Sequence, residues 1–416
     1  MLANYIKIAW KVLLRHPFYT FITLFGISLT LTVLMVLASF VDHLLGAHYP
    51  EHKRSRTLYI TSVLQTDSTR TSRSMGPASF KFMSQYAKSL KTPEKVSLSS
   101  MFGFTNTYVN GKRIKLNTKF TDAEFWYATD FEFLEGKPYN EQNIKNGDHV
   151  VVITDALKKQ YFEDNGQPVV GKKIEIENIV YQVIGVVKGS PVTRVYTYSD
   201  VYFPYTAPKS NYQNAGLRGN FTAMILAKDE KDLGAIKAEF DAGIARVPKS
   251  VIRDGQQYTI LEVKANTYFD QFLYTFMRDD SVQQKVIFYS VIFLVLLMFM
   301  GLPAINLVNV NVSRILERAS EIGVRKAFGA PSKALLWQFI IENMFITFIG
   351  GGFALILSSF IIQMINSSGW IAYADLTINL VVFAISILVC LIFGLLSGVL
   401  PAFRMSKLKI VDALKS

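Results

Sequence analysis

Four long apolar runs divide an otherwise mixed chain of 416 residues. They predict membrane-spanning helices over 18–41, 286–312, 334–366 and 378–403. Each is close to or above the ~20 apolar residues that a hydrocarbon core requires. The first run exceeds the apolar core of a signal peptide and no A-x-A site follows it, so it reads as an uncleaved anchor. Ahead of it, residues 1–17 predict an amphipathic helix. Leu2, Tyr5, Ile6, Ala9, Trp10 and Leu13 share one face, while Asn4, Lys7, Lys11 and Arg15 share the other. A basic face opposite an aromatic one suits a membrane surface, and His16-Pro17 breaks or redirects the helix.

Between the first two runs, residues 42–285 change character, to mixed charge, turn residues and short alternating stretches. Strands are predicted at 57–63, 150–153, 221–227 and 258–264, and helices at 78–90, 155–162 and 230–245. Asn110-Gly111 between Tyr108-Val109 and Lys112 is a hairpin signal, because that dipeptide adopts the turn that strand twist favours. Residues 173–177 and 180–187 alternate as a second hairpin. This is an α+β domain, long enough to bury its own core as one body or as two lobes.

Charge gives the orientation. The segment 313–333 carries Arg314, Arg318, Arg325, Lys326 and Lys333, and the tail 404–416 carries Arg404, Lys407, Lys409 and Lys415. The loop 367–377 has no Lys or Arg. The positive-inside rule therefore predicts both termini and 313–333 in the cytoplasm, with 42–285 and 367–377 outside. The net charge of +12 follows from this arrangement, and nucleic-acid binding is not expected. Cys390 is the single cysteine, so no internal disulfide forms, and no Cys/His spacing marks a metal site. Asp122, Glu124, Asp130 and Glu132 read as a solvated acidic surface rather than catalytic carboxylates. Tyr196, Tyr198, Tyr202, Phe203 and Tyr205 read as core strands. Gly394 and Gly398 form G-x-x-x-G in the fourth run, and Gly350-Gly351-Gly352 lie in the third. Either group allows close helix approach.

The segment 313–333 is the most informative. A short helix is predicted at 317–328, with Glu321 and Arg325 as a favourable pair one turn apart. Gly329 ends it, and Pro331 restarts the chain into the third run. Its small apolar face of Ile322, Ala327 and Phe328 has the shape of a knob that docks in a groove. The pattern E-R-x-x-E-I-G-V-R-K-A-x-G-A, followed by an apolar run holding Glu342, is similar to the cytoplasmic signature of the FtsX-like permease superfamily. The end of the chain, with Pro401-Ala-Phe-Arg-Met-Ser-Lys-Leu, resembles that family's C-terminal motif, with Ile410 where a proline is usual. Residues 120–205 resemble the periplasmic core domain of MacB-type transporters. The resemblance rests there on Phe133-Leu134-Glu135-Gly136-Lys137, the strand–helix unit ending in Tyr161-Phe162, and Tyr181-Gln-Val-Ile-Gly185-Val-Val.

The resemblance implies a permease subunit of an ABC system in a bacterial inner membrane, working as a dimer of identical or paralogous permeases with cytoplasmic ATPases. Glu317, Arg318, Glu321, Ile322, Gly323, Arg325, Lys326, Phe328 and Gly329 would form the coupling segment against the ATPase. The spans would transmit ATP-driven movement to the outer domain, for export or mechanotransmission. Three alternatives stay open: an FtsX-like regulator of a cell-wall hydrolase, a lipoprotein-release permease, and a membrane-anchored sensor without an ATPase. A periplasmic adaptor or an outer-membrane channel is compatible with the first. The chain has no G-x-x-x-x-G-K-[ST], so it is expected to be no enzyme itself, with ATP and Mg held by a separate ATPase polypeptide.

Overall fold

A computed structural model describes residues 17–69, 71–109, 111–162, 166–248, 251–253, 256–277, 281–295, 297–298, 331–370 and 373–392, together with residues 7, 10, 11, 13–15 and 324. The chain divides into two units: Met1–His43 with Lys285–Trp370 and Asp375–Ser416, and Leu44–Gln284 with Ile371–Ala374.

In the first unit, the helices α1 (Pro17–Leu45) and α9 (Ser332–Ser368) are long and apolar enough to cross a membrane. Two shorter apolar helices, α8 (Val282–Val295) and α10 (Leu380–Ile392), fall in the second and fourth predicted spans. Ile27, Leu31, Ile346, Ala354 and Cys390 pack together with Leu13 from the N-terminal segment, and Trp10 meets Phe345 edge-on at 6.2 Å. Two glycines of the triplet in α9 mark close approaches. A Cβ on Gly350 would lie 2.8 Å from Ile27 Cγ2, and one on Gly351 would lie 2.9 Å from Ile387 Cδ1. The Thr32 hydroxyl donates to the Ala354 carbonyl at 3.4 Å in the same contact region. Small residues that let helix backbones come together are what membrane helix packing favours. Gly394 and Gly398 lie outside the described residues.

The second unit is α+β. Fifteen strands are described, β1 (Thr57–Ile60), β2 (Val63–Thr66), β3 (Arg73–Gly76), β4 (Lys95–Ser100), β5 (Gly103–Val109), β6 (Lys112–Thr121), β7 (Phe133–Gly136), β8 (Val150–Thr154), β9 (Lys173–Ile176), β10 (Ile179–Val187), β11 (Val201–Pro204), β12 (Phe221–Leu226), β13 (Val251–Arg253), β14 (Gln256–Tyr258) and β15 (Ile260–Val263). Ten of them build one mixed sheet in the order β1-β12-β4-β6-β11-β8-β10-β7, with β5 beside β6 and β9 beside β10. The order β15-β2-β3 makes a smaller sheet, and β13 pairs with β14. The helices are α2 (Phe80–Tyr86), α3 (Phe125–Ala128), α4 (Glu141–Asn146), α5 (Asp155–Phe162), α6 (Leu233–Ile244) and α7 (Tyr268–Met277).

The strands β1, β8, β11 and β12 of the large sheet are buried on both faces, which explains their continuous apolar runs. Val151 and Ile153 of β8 face a core with Leu157 of α5, Val183 and Phe203. Val150 and Val152 face the opposite, aromatic core with Tyr59, Phe125, Tyr202 and Tyr268. Farther along, Leu98, Ala223 and Ile225 pack against Met83 of α2 and Phe240 of α6. The sheet runs through all three cores.

The two predicted hairpins form, β5–β6 and β9–β10. The turn of the second takes Glu177 and Asn178 to positive φ, the left-handed pair such a turn requires. The predicted strand at 57–63 is in fact two strands. The chain leaves the large sheet after Ile60 and joins the small one at Val63. Local β propensity does not record a change of partner.

Candidate functional site: an arginine knot at the end of the first apolar helix

The last carbonyls of an α-helix have no intrahelical donors, and something must satisfy them. At the end of α1 two arginines do so. Arg54 Nη1 donates to the Leu44 carbonyl at 2.9 Å and to the Gly46 carbonyl at 3.0 Å. Arg194 Nη1 donates to the same Gly46 carbonyl at 2.9 Å. Arg54 also grips one carboxylate oxygen of Glu51, through Nε at 2.9 Å and Nη2 at 2.6 Å. The second Glu51 oxygen accepts from the Thr197 hydroxyl at 2.8 Å. The guanidinium lies over the ring of Tyr268, 3.5 Å from its centroid.

These groups are removed from water: Glu51 is 3 % exposed, Arg54 4 % and Arg194 0 %. Buried charge is tolerated only where partners replace the solvent. Burial pulls the Arg54 guanidinium down most strongly, but the Glu51 carboxylate together with Tyr268 and Tyr59 lifts the group above its ordinary value. Arg194 is lowered, first by burial and then by repulsion from Arg54. Tyr59, Tyr196 and Tyr268 wall the site, with the Tyr59 and Tyr196 rings tilted by 31° at 4.8 Å and Tyr59 edge-on to Tyr268 at 5.7 Å.

The knot joins segments far apart in sequence. Leu44–Glu51 follow the first apolar helix. Tyr268 opens α7, the last helix of this unit before the chain reaches the second apolar run. A backbone bridge backs the aromatic contact. Tyr59 N donates to Asn266 O at 2.7 Å, and Asn266 N returns to Tyr59 O at 3.0 Å. The exit and the return of the chain are thus fastened to each other.

A third segment fastens to the same unit. Tyr373, held at φ 56°, donates its hydroxyl to Asp155 Oδ1 at 2.8 Å and accepts from Ala156 N at 3.2 Å. The same Asp155 oxygen takes Gly189 N at 2.9 Å. The Tyr373 ring lies so close over Gly189 that a Cβ there would fall 1.9 Å from Cζ. Burial, and then the Asp155 carboxylate, raise the Tyr373 hydroxyl above its ordinary range.

Nearby lies a buried base. Lys119, 1 % exposed, donates to the Ser100 carbonyl at 2.8 Å. Burial lowers it to about 7, with Glu51 opposing the shift. The acidic stretch differs from its sequence reading at one position. Asp122 is fully buried rather than solvated, and accepts from Ser97 Oγ at 3.0 Å, Leu98 N at 2.8 Å and Phe125 N at 3.1 Å. Lys88 pairs with it at 2.8 Å. Its role is to cap α3 and tie down β4, which a lone sequence position does not reveal.

The coupling residues predicted from sequence, Glu317, Arg318, Glu321, Ile322, Gly323, Arg325, Lys326, Phe328 and Gly329, lie outside the described residues. Of their stretch, Val324 is described as helical and exposed. Pro331, extended at ψ 137°, stands at the N-cap of α9, where the chain was expected to restart. The knot itself was missed. Arg54 sits in His-Lys-Arg-Ser-Arg and looks like any basic flank of a membrane span.

Two helices long and apolar enough to cross a membrane, with a large α+β unit inserted between them in the chain, fit a membrane protein. Residues 20–242 match the MacB-like periplasmic core domain, and residues 291–410 match the FtsX-like permease C-terminal domain. The chain belongs to the MacB/FtsX-like family of ABC transporter permeases. It is 27% identical over 342 residues to the macrolide export ATP-binding/permease protein MacB of Acinetobacter baylyi, covering 79% of this chain and 44% of that protein. It is 25% identical over 316 residues to the uncharacterized ABC transporter permease YvrN of Bacillus subtilis, covering 71% of this chain and 68% of that one. The chain thus spans less than half the length of the MacB relatives it matches. Among solved structures, the periplasmic region of MacB from Actinobacillus actinomycetemcomitans aligns at TM-score 0.36 and 13% identity, covering 53% of this chain and 93% of that one.

Proposed function

We propose that this chain is the transmembrane subunit of an ABC complex, in which a separate cytoplasmic ATPase drives movement of the α+β domain for export or mechanotransmission. One observation carries the reading: a MacB-like periplasmic core and an FtsX-like permease end occur in order on one chain. The 416 residues contain no phosphate-binding loop, and this reading assigns ATP and Mg to the ATPase. The chain crosses a bacterial inner membrane four times, with both termini inside, and works as a dimer with a second permease. The segment 313–333 docks on the ATPase through Glu317, Arg318, Glu321, Ile322, Gly323, Arg325, Lys326, Phe328 and Gly329. The knot at Arg54 and the catch at Tyr373 support transmission, because each fastens the α+β domain to chain that continues into an apolar helix.

Co-purification tests the reading. The wild-type chain should retain its ATPase through detergent extraction, and Glu321→Ala with Arg325→Ala should lose it. Retention by the double variant would overturn the coupling assignment. ATP-dependent efflux separates export from regulation of a hydrolase.

A further inference from the structure

We propose that the outer face of the β5–β6 hairpin is a docking surface for an acidic protein segment that presents apolar side chains between its carboxylates. The proposal does not rest on the ATPase reading. Between Lys95 and Thr121 the chain has no Asp or Glu, and the hairpin carries three exposed cations, Lys112, Arg113 and Lys115. The register sorts them. Thr105, Thr107 and Leu116 turn inward, and the two hydroxyls bond β9 or its turn, Thr105 to the Glu177 carboxylate and Thr107 to the Glu175 carbonyl. The other face holds Phe102, Phe104 and Tyr108, which are 38 %, 60 % and 66 % exposed. Arg113 stands directly across from Tyr108, and Lys115 places its ammonium 4.6 Å from the Phe104 ring centroid. Lys112 follows at the turn.

Three rings left in water beside cations are costly unless something covers them. Aromatic residues and arginine are the side chains that anchor protein interfaces. Small-molecule sites are concave, and this is an open ribbon face. A second copy of the same face is disfavoured, because Arg113 and Lys115 would meet their own kind. Rings and cations alternate on one face instead of separating onto two, unlike a helix lying on a membrane. From Phe102 to Tyr108 the stripe runs about 20 Å. Two strands of that length offer far less than the ~800 Å² per side of a standard interface, so the occupant is a short segment held weakly and salt-sensitively. The free carboxylates the cations lack must come from that segment.

The test uses the full chain in phosphatidylcholine nanodiscs and a fluorophore-labelled peptide of about eight alternating Glu and Leu residues, read by anisotropy. The acidic peptide should bind, and the same peptide with Lys for Glu should not. Affinity should fall about tenfold between roughly 50 and 300 mM salt. It should fall at least as far in Arg113→Glu/Lys115→Glu and, separately, in Phe104→Ser/Tyr108→Ser. Lys145→Glu, an exposed cation on α4, should leave it unchanged. Equal binding by all variants, equal loss in Lys145→Glu, or no binding of the acidic peptide would overturn the proposal. So would binding of polygalacturonate alone, which would make the surface a saccharide site.

Discussion

Tyr373 and Asp155 stand 218 positions apart, yet the tyrosine hydroxyl reaches the carboxylate at 2.8 Å. That contact makes a four-residue stretch between two apolar helices part of the α+β unit. Removing the hydroxyl in Tyr373→Phe should cost about 1 kcal/mol, the net worth of an ordinary hydrogen bond. Gly189→Ala should cost more, since the new methyl occupies the ring's place. Paired with Tyr373→Ala, it should be nearly harmless. Thermal unfolding of the four proteins checks this, and additive losses would show that the two residues do not share the contact.

The knot at Arg54 makes a harsher demand. Arg54→Met takes both guanidinium bonds from the Glu51 carboxylate and the arginine donor from the Leu44 carbonyl in a dry site, and should cost about 3–5 kcal/mol. Arg54→Met with Glu51→Leu should recover part of that loss, because the Glu51 carboxylate is then no longer left without Arg54. Chemical denaturation in detergent measures both. A double variant less stable than the single one would contradict the account.

Lys119 gives a pH signature. Its folded value of about 7 lies below its ordinary one, so the unfolded chain binds the proton more readily over the interval between them. The cost of charging it is fully present below about pH 7 and fades as pH rises towards the ordinary lysine value. Lys119→Met should therefore raise the melting temperature more at about pH 6 than at about pH 9. An equal gain at both would mean that the amine titrates normally.

Gly350 makes the corresponding case for the helical unit. Its backbone lies so close to Ile27 that Gly350→Leu overpacks the contact and should cost about 1–3 kcal/mol. Ile27→Ala should relieve part of the loss in the double variant, as seen by melting in detergent.

The sequence discloses features that repeat locally and hides those built by distant partners. The strand Val150–Thr154 and the helix Asp155–Phe162 were legible because a run of branched residues gives way at once to a helix-forming segment. The hairpins were legible from their turns. Arg54 was not, because its burial depends on Glu51, Arg194 and Tyr268, whose convergence no local window contains. Asp122 misled for the same reason, since Lys88 and the β4 amides that neutralise it are supplied by other elements. The second sheet was hidden by a two-residue gap between β1 and β2. Tyr373 gave no signal, because a lone tyrosine in a short loop does not announce its partner.

The bridge between Tyr59 and Asn266 has an architectural consequence. The chain that departs after the first apolar helix comes back beside its own starting point, and the spacing between departure and return is set by backbone pairing and one guanidinium–ring contact. Loops between them that touch none of Arg194, Tyr196 and Thr197 can lengthen or shorten without altering that spacing. Lengthening the turn between β2 and β3, for example, should leave the Tyr59–Asn266 bridge and the Arg54–Tyr268 contact in place.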